Sequence, residues 1–368
     1  MMRSTFARYP IACAALAAML LSVLAASARA EAAALPAMKT SRLSVSGLSS
    51  GGYMAVQFDV AYSASVTGAG IIAAGPYSCS RGRLSIATMK CSCTSGTPWC
   101  NVSPGGTNVP ELLDITRRHA ERGAIDATAN LAGHRIWLFS GLADSVVPMA
   151  VMDDLQAYYQ HYVRPGNIRY RKDVRAEHAM PTDSFGNKCD KLGSPYISDC
   201  DVDGAGELLQ WIYGALAPKT GNGATGRFVE FDQAEFLPHP ADHGMAATGW
   251  LYVPPGCEGA GQGCRLHVAF HGCKQNSALV KEAWVRHAGY NGWADANRIV
   301  VLYPQAAALR FRNPNSCWDW FSYDDPDFAV KSGRQMRAVK KMTERLMGNG
   351  APAGRPVAVP NGAVPTSP

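Results

Sequence analysis

Ser46-Gly47-Leu48-Ser49-Ser50-Gly51-Gly52-Tyr53 is the stretch on which the reading of this 368-residue chain turns. Arg42–Ser46 predicts a short strand ahead of it, and Gly51–Ser63 predicts a helix behind it, opened by glycines. A G-x-S-x-G motif between strand and helix is a nucleophile elbow. Its glycines are needed because the turn is tight and side chains there would collide with the neighbouring strand and helix. The helix N-terminus also offers backbone N–H groups to a developing oxyanion. A Gly/Ser-rich loop that merely turns is the bland alternative, and the flanking elements argue against it. Ser49 is the candidate nucleophile.

A serine nucleophile needs a base, and the base needs an orienting acid. Behind such an elbow the acid and then the base follow at the ends of later strands. Arg135–Ser140 predicts a buried strand, and Asp144 stands just past its carboxyl end, where sites of open α/β sheets lie. The alternative for Asp144 is a cap for a helix at Met149–His161. Ile168–Val174 predicts the next strand, and His178 follows it. The other histidines fit a base less well. His119, His161 and His287 lie on predicted helices, His134 precedes a strand, His267 lies inside one, and His239 and His243 fall in a loop. The Ser50 N–H is one candidate oxyanion donor. A second comes from the strand Leu266–Phe270, which runs into His271-Gly272-Cys273, an H-G-x turn. An ordinary turn pinned by a disulfide is the alternative there, and both can hold together.

Further strands are predicted at Val66–Ala74, Phe228–Phe231, Gly249–Val253 and Ile299–Tyr303. Helices are predicted at Val109–Gly123, Ala278–His287, Gly289–Ala296 and Ser332–Leu346, with another starting in Gly206–Tyr213. This alternation implies an α/β fold with a mostly parallel sheet and helices on both faces. The H-G turn ordinarily precedes the elbow. Here Ser49 falls 18 residues after Glu31, which leaves room for one strand. A circularly permuted α/β-hydrolase order accounts for that.

Residues 1–30 read as a signal peptide. Arg3 and Arg8 precede the apolar run Ile11–Ala26, and Ala28-Arg29-Ala30 is an A-x-A cleavage signal. The run falls short of the roughly 20 residues that span a bilayer. Residues 31–350 then form one catalytic domain, since the best internal break, Gly221–Gly226, is short, and 351–368 form a disordered Pro/Ala-rich tail. Of 11 cysteines, Cys13 leaves with the signal. Ten remain, an even number that reads as five disulfides in a secreted chain. Cys79, Cys91, Cys93 and Cys100 cluster with their pairing open. Cys189 with Cys200 and Cys257 with Cys264 are close in sequence, which leaves Cys273 with Cys317. Zinc is disfavoured in the cluster, which has neither paired C-x₂-C units nor a nearby His. No metal and no cofactor are expected.

Hydrophobic residues at 47% and charged residues at 17% exclude a disordered chain. The net charge of +6 is halved once Arg3, Arg8 and Arg29 depart, and no Lys/Arg run exists. That leaves no footprint for nucleic acid or an anionic membrane and fits an uncharged substrate.

Taken together, Ser46–Ala55, Gly141–Pro148, Glu177–Thr182, Phe270–Cys273 and Cys317-Trp318-Asp319-Trp320 carry a resemblance to a known family. The chain resembles the extracellular poly(3-hydroxybutyrate) depolymerases of the circularly permuted, single-domain type. The resemblance implies a triad of Ser49, Asp144 and His178 and an oxyanion hole from the Ser50 and Cys273 amides. It also implies substrate contacts at Trp318 and Trp320, with His271 beside them. The expected substrate is a polyester or oligoester, acted on by a monomer without an appended binding module. Cys317–Tyr323 packs four aromatics into seven residues, as core beneath a loop or as the wall of an apolar cleft. A feruloyl or acetyl-xylan esterase is the alternative activity, and a carbohydrate-binding module would have favoured it. A non-catalytic scaffold would have lost Ser49, Asp144 or His178.

Overall fold

Strand β1 (Ser41–Leu48) is buried from Leu43 onward on both its sides, which requires helices over both faces of the sheet it joins. A computed structural model describes residues 32–96, 102–220, 224–259, 261 and 263–349. The expected signal peptide, Cys100 and the expected tail lie outside the described residues. β1 lies mid-sheet between β2 (Val66–Ile72) and β10 (Arg265–Phe270), parallel to both. Outward from β2 come β3 (Arg135–Phe139) and β4 (Ile168–Arg171), again parallel. Outward from β10 come β11 (Ile299–Tyr303), then β9 (Thr248–Val253) and β8 (Arg227–Asp232), these last two antiparallel to their neighbours. The chain thus enters the sheet at its middle, walks to one edge, and builds the other half afterwards. From Ala33 onward it forms one unit.

Two apolar layers hold the helices. On one face Phe58 of α1 (Ser50–Ala61), Leu112 of α3 (Val109–Glu121), Tyr158 of α4 (Met149–Tyr162) and Met342 of α9 (Arg334–Met347) pack with Val45, Ile71 and Val268. On the other, Leu208 of α5 (Gly204–Tyr213), Trp284 of α7 (Ala283–His287) and Trp293 of α8 (Tyr290–Asn297) pack with Leu48, Trp137 and Ala269. The short helices α2 (Leu84–Met89) and α6 (Ser277–Val280) complete the set among the described residues. No helix among them is long and apolar enough to cross a membrane.

A buried polar bridge fixes the two central strands. His267 on β10 reaches Ser44 Oγ through Nδ1 and Ser46 Oγ through Nε2, both at 2.7 Å. Tyr213 and Tyr290 hydroxyls, from α5 and α8, cap those serines at 2.6 and 2.7 Å. Burial pushes the His267 imidazole down to about 3, so it stays neutral and can be sealed in the core.

Several details depart from the sequence reading. The strand predicted at Ile168–Val174 stops at Arg171, because the Val174 and Ala176 carbonyls are taken by the Leu142 and Ala143 N–H groups. The helix expected at Ala278–His287 is two, α6 and α7, parted where Lys281 turns left-handed at φ 55°. A small parallel sheet, β5 (Met180–Thr182), β7 (Ile197–Asp199) and β6 (Asn187–Lys188), follows His178 and was not foreseen. Disulfides join Cys79 to Cys91, Cys189 to Cys200, Cys257 to Cys264 and Cys273 to Cys317. Cys93 is disulfide-bonded as well.

Candidate active site

Ser49 stands between β1 and α1 with φ 57° and ψ −125°, a conformation strained for a residue with a side chain. Close packing enforces it. A Cβ on Gly47 would come within 2.2 Å of the Gly51 oxygen, and one on Gly51 within 2.3 Å of the Phe270 oxygen. The turn after β10 lies against the nucleophile, since a Cβ on Gly272 would stand 3.3 Å from the Ser49 Cβ. Among the described residues, no hydrogen bond is made to the Ser50 or Cys273 N–H.

Asp144 is held in the turn after β3, where its Oδ1 accepts the Val146 and Val147 N–H groups at 2.9 and 2.7 Å. Its Oδ2 lies 2.9 Å from His178 Nδ1. The Asp144 and His178 side chains are only 1% and 7% exposed. Glu177 Oε2 accepts the His178 N–H at 2.7 Å and the Ser145 N–H at 3.3 Å, which ties the two loops together. With Nδ1 donating to the carboxylate, His178 keeps Nε2 as a base. Ser49, His178 and Cys273 line one cleft of about 600 Å³, together with Tyr53, Tyr196 and Trp320. A serine and a carboxylate-oriented imidazole lining one cleft, with the spare Cys273 amide on its wall, can perform acyl transfer.

No protein-family model matches the chain. It is 47% identical over 333 residues to a poly(3-hydroxybutyrate) depolymerase of Delftia acidovorans, covering 89% of this chain and 64% of that protein. It is 35% identical over 337 residues to a polyhydroxybutyrate depolymerase of Talaromyces funiculosus, covering 87% of this chain and 94% of that protein. The chain belongs to the polyhydroxybutyrate depolymerase family. Among solved structures it is similar to a PHB depolymerase serine-to-alanine variant complexed with an R3HB trimer, with TM-score 0.75, 34% identity, and cover of 86% of this chain and 100% of that one. The PHB depolymerase of Penicillium funiculosum has TM-score 0.74 at the same identity and cover.

In this member of the depolymerase family, Ser49, His178, Cys273 and Trp320 line one cleft, Asp144 contacts His178 from outside that lining, and Ser50 opens α1 next to Ser49. Two expected substrate contacts need correction. His271 and Trp318 are both 0% exposed and lie behind the cleft wall. The His271 ring is turned into the core, where Nε2 accepts the Ala306 N–H at 3.0 Å. The Trp318 indole packs edge-on against Phe270 and donates to the His271 carbonyl at 3.0 Å. Asp319 shapes this loop by accepting the Tyr323, Asp324 and Asp325 N–H groups at 3.0 to 3.2 Å. Burial pushes its carboxyl up to about 7 despite those donors.

The sequence reading missed Leu84, Leu192 and Phe311, which also border the cleft. They lie in loops or on a six-residue helix with no periodicity to flag them. Tyr53 carried a usable signal, because one helical turn after Ser49 it shares the serine's side of α1.

Proposed function

We propose that this chain is a secreted serine esterase that hydrolyses ester bonds of poly- or oligo(3-hydroxybutyrate). The observation that carries the reading is the contact of His178 Nδ1 with Asp144 Oδ2 at 2.9 Å, in the cleft that Ser49 lines. Ser49 Oγ attacks the ester carbonyl as His178 Nε2 takes its proton, and Asp144 stabilises the resulting imidazolium. The Ser50 and Cys273 N–H groups receive the oxyanion. His178 then protonates the departing alkoxide oxygen of the 3-hydroxybutyrate unit. A water, deprotonated by His178, attacks the acyl-enzyme, and His178 returns that proton to Ser49 Oγ as the acid is freed.

An uncharged polyester asks for apolar walls, and Tyr53, Val146, Val147, Leu192 and Trp320 supply them here. Leu84 and Phe311, 58% and 85% exposed, stand on its rim and suit contact with an apolar polymer surface. Four disulfides among the described residues support export to an oxidising compartment. The central place of the first strand, with the H-G turn supplied later by β10, supports the permuted order.

The test is clearing of a polyhydroxybutyrate suspension with release of soluble 3-hydroxybutyrate esters, run beside a feruloyl ester. Clearing without feruloyl release is the expected result. Feruloyl release without clearing would reject the substrate assignment.

A further inference from the structure

The turn after β10 presents four backbone polar groups in succession, and buried side chains hold all but the last. The His271 carbonyl accepts from Trp318 Nε1 at 3.0 Å. The Gly272 N–H donates to Gln275 Oε1 at 2.7 Å. The Gly272 carbonyl meets His271 Nδ1 at 2.7 Å and the Gln275 N–H at 3.3 Å. The Cys273 N–H comes next, bordering the cleft without an acceptor among the described residues.

The roles of these side chains are fixed by their other partners. The Ala306 N–H donates to His271 Nε2, so the ring proton sits on Nδ1 and points at the Gly272 carbonyl. Gln275 Nε2 donates to the Pro195 and Tyr196 carbonyls at 2.9 and 3.0 Å, which leaves Oε1 as the end that faces Gly272. Gln275 is 1% exposed, and Tyr196 itself lines the cleft. One amide therefore joins the oxyanion turn to the loop that follows the His178 segment.

A trans peptide directs its carbonyl and its N–H to opposite sides. Holding the Gly272 carbonyl inward therefore turns the Cys273 N–H outward. Without that hold the Gly272–Cys273 peptide could rotate, because a glycine opposes rotation least. A rotated peptide would place a carbonyl where an oxyanion must form. The Cys273–Cys317 disulfide does not prevent this, since it anchors the Cys273 side chain and not the plane of the peptide before it.

We infer that Gln275 is a positioning residue for ester hydrolysis: with His271 it sets the peptide planes on either side of Gly272 so that the Cys273 N–H faces the cleft as an oxyanion donor. The inference rests on the esterase reading above. Gln275 borders the cleft but is 1% exposed, and backbone partners take both ends of its amide, so in this role its loss acts on the transition state far more than on substrate binding.

The test uses Gln275→Met, which removes both halves of the clamp, and Gln275→Glu, which keeps an acceptor for Gly272 but loses the two donors. Hydrolysis of p-nitrophenyl butyrate is measured beside inhibition by phenylboronic acid, whose tetrahedral adduct puts an oxygen at the oxyanion position. Removing a whole oxyanion donor costs about 10²–10³ in rate, and a misaimed one costs less. For Gln275→Met we expect kcat to fall roughly 10- to 100-fold with KM within about twofold, and boronate affinity to weaken in step. Gln275→Glu should retain more of kcat, yet stay at least about threefold below the parent. Circular dichroism and melting identify folded variants, and Gln275→Glu alone decides if Gln275→Met does not fold. Parent-level kcat in either folded variant, or a loss confined to KM, overturns the inference. Failure of the esterase reading looks different: the parent chain would not cleave the ester, or Ser49→Ala would cleave it as fast.

Discussion

Tyr53 lies flat against Trp320, with ring centroids 4.0 Å apart and planes 10° from parallel. Tyr53 is one turn along the helix that Ser49 opens, and Trp320 is three residues past Cys317, which is bonded to Cys273. The Tyr53 hydroxyl also donates to the carbonyl of Cys91, itself bonded to Cys79. The aromatic wall is therefore braced to the nucleophile helix, the oxyanion turn and the α2 segment at once.

Removing the outer ring of that pair should weaken substrate binding more than chemistry. Each substrate methyl or methylene that loses its contact with the ring forfeits about 0.8 kcal/mol, so Trp320→Ala should raise KM for a 3-hydroxybutyrate trimer roughly fourfold or more. Trp320→Phe should recover part of that. Initial rates over a range of trimer concentrations separate the two constants, and an unchanged KM in Trp320→Ala would remove Trp320 from the wall.

Asp144→Asn should leave the fold intact, because an amide oxygen can still accept the Val146 and Val147 N–H groups. Its NH₂ would face His178 Nδ1 and favour the wrong tautomer. The corresponding change in a well-studied protease lowers kcat about 10⁴-fold. A similar loss is expected here, with melting within a few degrees of the parent. A loss under tenfold would limit Asp144 to holding the turn through the Val146 and Val147 N–H groups.

Acid should destabilise the fold partly through its buried imidazoles. Burial holds His267 down to about 3 and His271 to about 4. Their folded pKa values are depressed, so the stability they contribute is present above about 6.5 and is lost as pH falls toward those values. Asp319, pushed up to about 7, runs the other way between about 4 and 7, so each pH needs its own variant-to-parent comparison. Between pH 6.5 and 4 the parent should lose stability relative to His267→Asn, by roughly 1 kcal/mol for each pH unit. Urea midpoints at pH 7.5, 6, 5 and 4 check this, and a constant difference between the two proteins would refute it.

The central strands and the triad candidates were legible because each carries a local signal. The strand, G-x-S-x-G and helix are contiguous, Asp144 follows a buried apolar strand, and His178 comes after the next predicted strand. What the sequence could not show is the direction a side chain takes inside a loop. Trp318 and Trp320 look alike in sequence, yet one indole enters the core beneath Phe270 and the other lines the cleft. His271 marked the right turn but acts from behind it. Gln275 gave no signal at all, because its carbonyl partners lie 80 and 79 residues away. The strands β5 to β7 are too short for alternation to register.

Release of monomer and dimer from an (R)-3-hydroxybutyrate trimer by the parent chain and by Ser49→Ala tests the central claim most directly. The parent should release both. Ser49→Ala, melting at the same temperature, should be slower by at least about 10⁴-fold, since triad members act as a unit. Trimer hydrolysis near the parent rate by a folded Ser49→Ala, or none by the parent itself, would contradict the account.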